Sequence, residues 1–208
     1  MHLLFDFGGV LVDLDRQRCQ QSFHDIGFPV EQYLGDYKQA GIFSQLERGD
    51  ISIAEFCRYI RSHSTQPDTP DERIVSAWES FLTGVPHERL DLLLKMRRHY
   101  PVSLLSNTNE VHWHQAERDF FSYGGRTAAD FFDFIFLSCR IGVEKPDAAI
   151  FQAVTRLTAL PPSEILFFDD SEVNCAAARR CGMKALLAPA GGGWMHYFDA
   201  DGRLNAEV

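Results

Sequence analysis

Asp6, Ser106, Lys145 and the adjacent pair Asp169 and Asp170 are the residues whose types could do chemistry together. Most of them sit where an apolar run ends. "HLLFDF" (2–7) carries Asp6 near its end, "VSLLSN" (102–107) closes on Ser106 and Asn107 ahead of Thr108 and Asn109, and "EILFFDD" (164–170) closes on Asp169 and Asp170. Lys145 stands in "EKPD" (144–147), where it is expected to open a helix. Carboxylates brought close together repel and raise one another's pKa unless a cation offsets them. Mg²⁺ is a natural counter-charge, because it takes a few carboxylate oxygens, keeps several waters and bridges to phosphate. Lysine adds a point charge for an oxyanion, and backbone N–H groups past the strand ends can bind phosphate oxygens. A hard cation, a lysine and exposed amides suit phosphoryl transfer. With Asp6 as the attacking group the intermediate is an aspartyl-phosphate. Ser106 taken alone is more often a cap than a ligand; it is the convergence of all four positions that packing does not explain.

Convergence requires a particular scaffold. Besides the three runs above, "FDFIFLS" (132–138) and the weaker "KALLA" (184–188) have strand character. Runs that are apolar on both faces predict a parallel sheet buried between helices. Helical periodicity follows at 147–160 and 171–182, the second ending at Gly182, a suitable residue just beyond a helix terminus. The predicted fold is therefore α/β, a doubly wound, Rossmann-like parallel sheet. In such sheets ligands bind beyond the carboxyl ends of the strands, where the strand order reverses.

The first two strands are separated by about ninety residues, far more than an ordinary crossover. Residues 16–84 read as several helices: "RQRCQQSFHDIG" (16–27), "VEQYLGDYKQAG" (30–41), "SIAEFCRYIRSH" (52–63) and "DERIVSAWESFL" (71–82). Ser52 followed by Glu55 predicts a capping box at the start of the third. The expected organisation is a core of residues 1–15 and 85–208 with an inserted helical cap of residues 16–84. The tail from Ala190 is expected to be loop and turn.

A chain of 208 residues with a net charge of −9 has no basic field with which to displace counterions, so general nucleic-acid binding is not expected. The five cysteines are scattered without a CxxC pair, which favours reduced thiols over a disulfide framework or a metal site. The N-terminus lacks the charged-then-apolar form of a signal peptide, and no window approaches the ~18 apolar residues of a membrane span. A cytoplasmic protein acting on a small molecule is expected, with no membrane partner.

In order and spacing, "FDFGGVLVD", "LLSNTN", "EKPD" and "FFDDSEVN" resemble the four motifs of the haloacid dehalogenase-like superfamily, and the resemblance spans the whole chain. Within it the version here looks most like the sugar-phosphatase branch, which includes bacterial α-D-glucose-1-phosphate phosphatases. The resemblance implies a Mg²⁺-dependent phosphatase with a helical cap. It implies Asp6 as nucleophile and Mg²⁺ ligand, and Gly8 as a metal ligand through its carbonyl. Ser106 and Asn107 would hold the transferring phosphoryl group through hydroxyl and backbone N–H, and Lys145 would neutralise nucleophile and phosphate. Asp170 would bind Mg²⁺ directly, with Asp169 beside it as a direct or water-mediated ligand. Asn174 stands where many members carry a further acid.

Gly8 is the departure. Most phosphatases of the superfamily carry a second aspartate there, as acid for the leaving group and base for water. Without it, three readings stand: an anomeric sugar oxygen leaves with less protonation; Asp13 or Asp15 swings in, unless each is a capping or loop residue; or turnover is slow, since lost acid–base help costs on the order of 10²–10⁴ in rate. The competing functions are a metal-free 2-haloacid dehalogenase, which has little reason to crowd Asp169 against Asp170, and a regulatory protein without turnover, which has little reason to keep Asp6, Lys145 and Asp170. His112 and His114, two apart on a helix, point away from each other and make a poor metal pair. In "LERGDIS" (46–52), Glu47 and Arg48 either face the crevice to bind sugar hydroxyls or form a turn at Gly49.

Overall fold

The computed structural model describes residues 1–35 and 38–205. Its strands are β1 (His2–Phe5), β2 (Asp13–Leu14), β3 (Leu82–Gly84), β4 (Val102–Ser106), β5 (Phe134–Leu137), β6 (Ile165–Asp169) and β7 (Lys184–Leu187). Its α-helices are α1 (Arg16–Asp25), α2 (Gly41–Glu47), α3 (Ile53–Ser62), α4 (Asp71–Glu79), α5 (His87–Met96), α6 (Glu110–Gln115), α7 (Ala128–Phe131), α8 (Ser138–Ile141), α9 (Ala148–Thr158) and α10 (Glu172–Arg180).

The five expected strands form one sheet in the order β5-β4-β1-β6-β7, every ladder parallel. Alternate side chains of β1 enter different cores: Leu3 and Phe5 one, and Leu4 the other, where it joins Phe151 and Val154 of α9 and Ala178 of α10. Helices cover both faces, which is why these strands read as continuous apolar runs. From β1 the chain moves outward through β4 and β5, then returns to the opposite side of β1 as β6. The order reverses at β1, and Asp6 is the residue that follows it.

Among the described residues between 16 and 79 the regular elements are helices, organised on an aromatic cluster. Phe43 lies with ring centroids 5.4 Å from Phe23, 5.0 Å from Phe56 and 4.8 Å from Trp78, all edge-on. Ser52 and Glu55 form the expected capping box at the start of α3. Three expectations need correction. Among the described residues of 30–41 the regular structure is a 3-10 turn, Glu31–Tyr33, in place of the expected α-helix, and a Cβ on Gly35 would lie 2.0 Å from the Lys38 carbonyl oxygen. Asp36 and Tyr37 lie outside the described residues. The helix begins later, at Gly41, and ends at Glu47. The helix expected over 71–82 stops at Glu79, because Leu82–Gly84 pair antiparallel with Asp13–Leu14. Strands of two and three residues are too short to show a period. Lys145 does not open a helix: it lies in the loop ahead of α9, whose N-cap Asp147 accepts a hydrogen bond from the Ala149 N–H at 2.9 Å.

Gly182 ends α10 as expected, at φ +87°, with the Gly182 and Met183 N–H groups returning to the Arg179 and Ala178 carbonyls. Beyond Ala190 the expected turns include a 3-10 segment, Gly193–Tyr197, which inserts Trp194 beside Phe5 at 5.0 Å. The Trp194 indole N–H donates to the Val10 carbonyl at 3.0 Å, so the tail braces the loop that follows β1. Among the described residues no helix is long and apolar enough to cross a membrane.

Candidate active site

Asp6 extends the ladder by one bond, donating its N–H to the Phe168 carbonyl at 2.8 Å, and the residue is 8 % exposed. The chain then turns sharply: the Leu11 and Val12 N–H groups both donate to the Phe7 carbonyl, and Gly9 N–H donates to Val12. Gly9 has φ +76°, and a Cβ there would lie 2.3 Å from an Asp170 carboxylate oxygen. Only glycine lets this loop pass beneath Asp170. Gly8 is different. A Cβ at Gly8 would meet nothing nearer than a Leu14 methyl at 3.7 Å. Space does not dictate the missing side chain.

Lys145 reaches the site from the other side, with only 2 % of its surface exposed. Its ammonium lies 2.7 Å from Asp6 Oδ1, 2.7 Å from Asp169 Oδ2 and 3.2 Å from the Leu105 carbonyl oxygen. Burial would lower its pKa, but the charges of Asp169 and Asp6 outweigh burial and the net shift is upward. The Asn107 side chain fixes the loop that delivers it: Nδ2 donates to the Lys145 carbonyl at 3.0 Å and Oδ1 accepts from the Lys145 N–H at 2.7 Å. With its amide so used, Asn107 offers the site its backbone. Ser106 is buried at the end of β4 and lines the same cavity.

Asp169 is fully buried and engaged through both oxygens. Oδ1 accepts from Ser171 N–H at 2.8 Å and from Asn174 Nδ2 at 3.0 Å, while Oδ2 accepts from Lys145 and from Asn174. Asn174, in place of a further acid, therefore clamps Asp169. Asp170 has no cationic partner within salt-bridge distance among the described residues.

Asp6, Asp169 and Asp170 bring carboxylate oxygens within 4.8 Å of one another. Burial pushes Asp6 up to about 8, with Asp169 and Asp170 adding like charge against the pull of Lys145. Burial and Asp169 push Asp170 up to about 6. Three acids facing one ammonium leave negative charge uncompensated in a buried crevice. All the donors are hard oxygens. The set fits a divalent cation of the Mg²⁺ type.

The same cavity is lined by Leu14, Phe81 and Leu82 and by two residues of the helical insertion, Gln39 and Glu47. "LERGDIS" thus does both things expected of it as alternatives. Glu47 ends α2 facing the crevice, 5 % exposed, and Gly49 makes a turn at φ +70°. A Cβ on Gly49 would lie 2.1 Å from the Cys139 carbonyl oxygen, so the insertion touches α8 through bare backbone. The Ser138 hydroxyl lies 2.5 Å from the Glu47 carbonyl oxygen. Arg48 points elsewhere, to Asp50 at 2.7 Å and toward Glu144 at 3.7 Å. Glu144, buried in the "EKPD" loop, also accepts from Ser44 at 3.2 Å and pairs with Lys38 at 3.0 Å. Gln39, Leu14, Phe81 and Leu82 were not singled out by the sequence, since nothing in their neighbours distinguishes them.

Asp13 and Asp15 are both engaged: Asp13 pairs with Arg89 at 2.8 Å and Asp15 caps α1 through the Arg18 N–H at 2.9 Å. His112 is buried at the cavity wall and donates from Nε2 to the Trp78 carbonyl at 2.9 Å. Burial pushes it down to about 4, so it is neutral at pH 7. His114 is exposed beside Glu110 at 3.5 Å. The two histidines point apart, as their spacing predicts.

The family model of haloacid dehalogenase-like hydrolases matches residues 1–182. A D-ribitol-5-phosphate phosphatase from Bacteroides thetaiotaomicron is 34% identical over 194 residues, covering 93% of this chain and 94% of that protein. The crystal structure of a HAD family enzyme from the same species, in complex with magnesium and inorganic phosphate, is 42% identical with a TM-score of 0.89, covering 95% and 98% of the two chains. An L-2-haloacid dehalogenase superposes with a TM-score of 0.60 at 18% identity, over 100% of this chain and 91% of the other, and shares the fold alone.

Proposed function

This chain belongs to the haloacid dehalogenase-like hydrolase family and hydrolyses phosphate monoesters with Mg²⁺; we propose that its substrate is a small sugar or sugar-alcohol phosphate and that Asp6 is the nucleophile. The observation that carries the reading is the pairing of Asp6 with Lys145 at 2.7 Å on the floor of a cavity that also holds Ser106. One Asp6 oxygen is held by Lys145 and the Phe7 N–H, which leaves the other to attack phosphorus. The Ser106 hydroxyl and the Asn107 backbone N–H hold the phosphoryl oxygens, and Lys145 offsets their charge. Asp6, the Gly8 carbonyl and Asp170 would hold Mg²⁺, with Asp169 beside them through its charge or a water. When bound, the ion supplies the positive charge that these carboxylates and the phosphate lack.

For the substrate, a sugar-alcohol phosphate is favoured over glucose 1-phosphate. A relative similar over nearly its full length acts on D-ribitol 5-phosphate, and polar groups such as Gln39, Thr108 and Asn174 suit a hydroxylated chain. The test is phosphate release from D-ribitol 5-phosphate, other alditol phosphates and glucose 1-phosphate, with Mg²⁺ or EDTA, by the natural protein and by Asp6→Asn. Alditol phosphates should turn over best, EDTA should abolish activity, and Asp6→Asn should lose on the order of 10⁴-fold or more. Undiminished activity of Asp6→Asn would refute the nucleophile. A clear preference for glucose 1-phosphate would refute the substrate assignment alone.

A further inference from the structure

We propose that Glu47, carried on the helical insertion, is the catalytic acid and base of this site, in the position of function that Gly8 leaves vacant. The inference rests on the phosphatase reading above. A phosphate ester of an ordinary alcohol needs a proton on its departing oxygen, and the floor of the cavity has no group free to give one. Asp13 and Asp15 are bound elsewhere, Lys145 is held between two carboxylates, and His112 has its Nε2 proton on the Trp78 carbonyl. Asp6 and Asp170 belong to the nucleophile and the cation.

Among the described residues Glu47 is the remaining proton carrier that lines the cavity with Asp6. It is 5 % exposed, yet its carboxylate accepts no hydrogen bond from a described residue. A buried carboxyl without a partner is a cost to the fold unless it is neutral. The groups that face it favour that neutral form. Burial raises its pKa first, and Glu144 of the "EKPD" loop and Asp6 below add like charge. Lys38 opposes them, but its ammonium is 3.0 Å from Glu144. Arg48, next in the chain, is paired with Asp50. Glu47 is therefore set well above the ordinary glutamate, the direction in which an acid catalyst must be shifted. Its backbone is docked at the same time, through Ser138 and the bare Gly49 contact.

The proton balance closes. As an Asp6 oxygen bonds to phosphorus, the ester P–O bond breaks, and the departing oxygen takes the Glu47 proton and leaves as the alcohol. Glu47 is now a carboxylate. Water attacks the aspartyl-phosphate, Glu47 takes a proton from that water, and the bond from phosphorus to Asp6 breaks to release inorganic phosphate. Asp6 is again a carboxylate and Glu47 again an acid.

Glu47→Gln keeps the shape and removes the proton. The test is kcat/KM with Mg²⁺ for 4-nitrophenyl, phenyl and ethyl phosphate, whose organic groups carry no hydroxyl to be recognised. Kcat/KM reports the first chemical step, so the variant should lose at most about threefold on 4-nitrophenyl phosphate, whose leaving group needs no proton, and on the order of 10²-fold on ethyl phosphate. With no base for water, 4-nitrophenolate should appear as a burst of about one equivalent per site before slow turnover. A melting curve no lower than that of the natural protein shows that the variant folds. An equal loss along the series, no loss, or the absence of a burst overturns the assignment of Glu47 while leaving the phosphatase reading intact. A natural protein inert toward all the esters and all the alditol phosphates overturns both.

Discussion

A glycine two residues after Asp6 is the local peculiarity of this protein, and its surroundings show that nothing steric requires it. Position 8 lacks a positive φ, and a Cβ would touch only Leu14 at 3.7 Å. Gly8→Asp is therefore expected to fold, with a melting temperature within about 4 °C of the natural protein, a change of no more than about 1 kcal/mol. In the Glu47→Gln background the added aspartate should raise kcat/KM for ethyl phosphate at least about tenfold, measured by phosphate release. Failure of that rescue in a folded, Mg²⁺-binding double variant would mean that position 8 does not address the departing oxygen. The neighbouring Gly9 has the opposite character: its φ of +76° and the Asp170 oxygen 2.3 Å from a Cβ make it irreplaceable by any side chain.

At the scale of elements, the contact that matters joins the end of α2 to α8. The backbone that carries Glu47 is docked where Gly49 approaches the Cys139 carbonyl and Ser138 meets the Glu47 carbonyl. Gly49→Ala sets a methyl group 2.1 Å from that carbonyl oxygen and requires alanine at φ +70°. The left-handed conformation alone costs about 1–2 kcal/mol. The loss of stability should be at least that large, a fall in melting temperature of about 2–8 °C or more, and kcat/KM should fall more for ethyl phosphate than for 4-nitrophenyl phosphate, because Glu47 is displaced while Asp6 and Lys145 stay in place. An equal fall on both esters would mean that the insertion positions the whole floor rather than Glu47.

Across the whole molecule, the insertion and the sheet share one apolar core that contains Leu3 and Phe5 of β1 together with Phe43 and Trp78. His112 pins the two together, its ring 4.2 Å from Trp78 and its Nε2 on the Trp78 carbonyl. Burial holds His112 neutral down to about 4, whereas an unfolded histidine takes a proton near 6.5. The unfolded chain therefore binds the proton first as pH falls. The stability contribution is complete above pH 6.5 and is lost progressively down to pH 4, by on the order of 3 kcal/mol. Denaturant melts between pH 7 and 4.5 should show a slope that is shallower in His112→Gln. An identical slope would place the acid sensitivity on other groups.

The chain by itself determined the strands and the floor of the site. Apolar runs with a period set by the backbone are local, so "HLLFDF", "VSLLSN" and "EILFFDD" placed Asp6, Ser106 and Asp169–Asp170 at strand ends before any contact was known. The tertiary structure alone decided how those side chains are used. It bound Asp13 and Asp15 elsewhere, turned Asn174 into a clamp on Asp169, replaced the helix expected at 30–41 and paired two strands too short to be read. It also brought Glu47 into the cavity that Asp6 lines. That placement depends on Ser138, 91 positions further along the chain, and on Glu144, which meets Ser44 across 100 positions. Sequence periodicity reports which face of an element is buried; it carries no record of which distant element comes to lie against it.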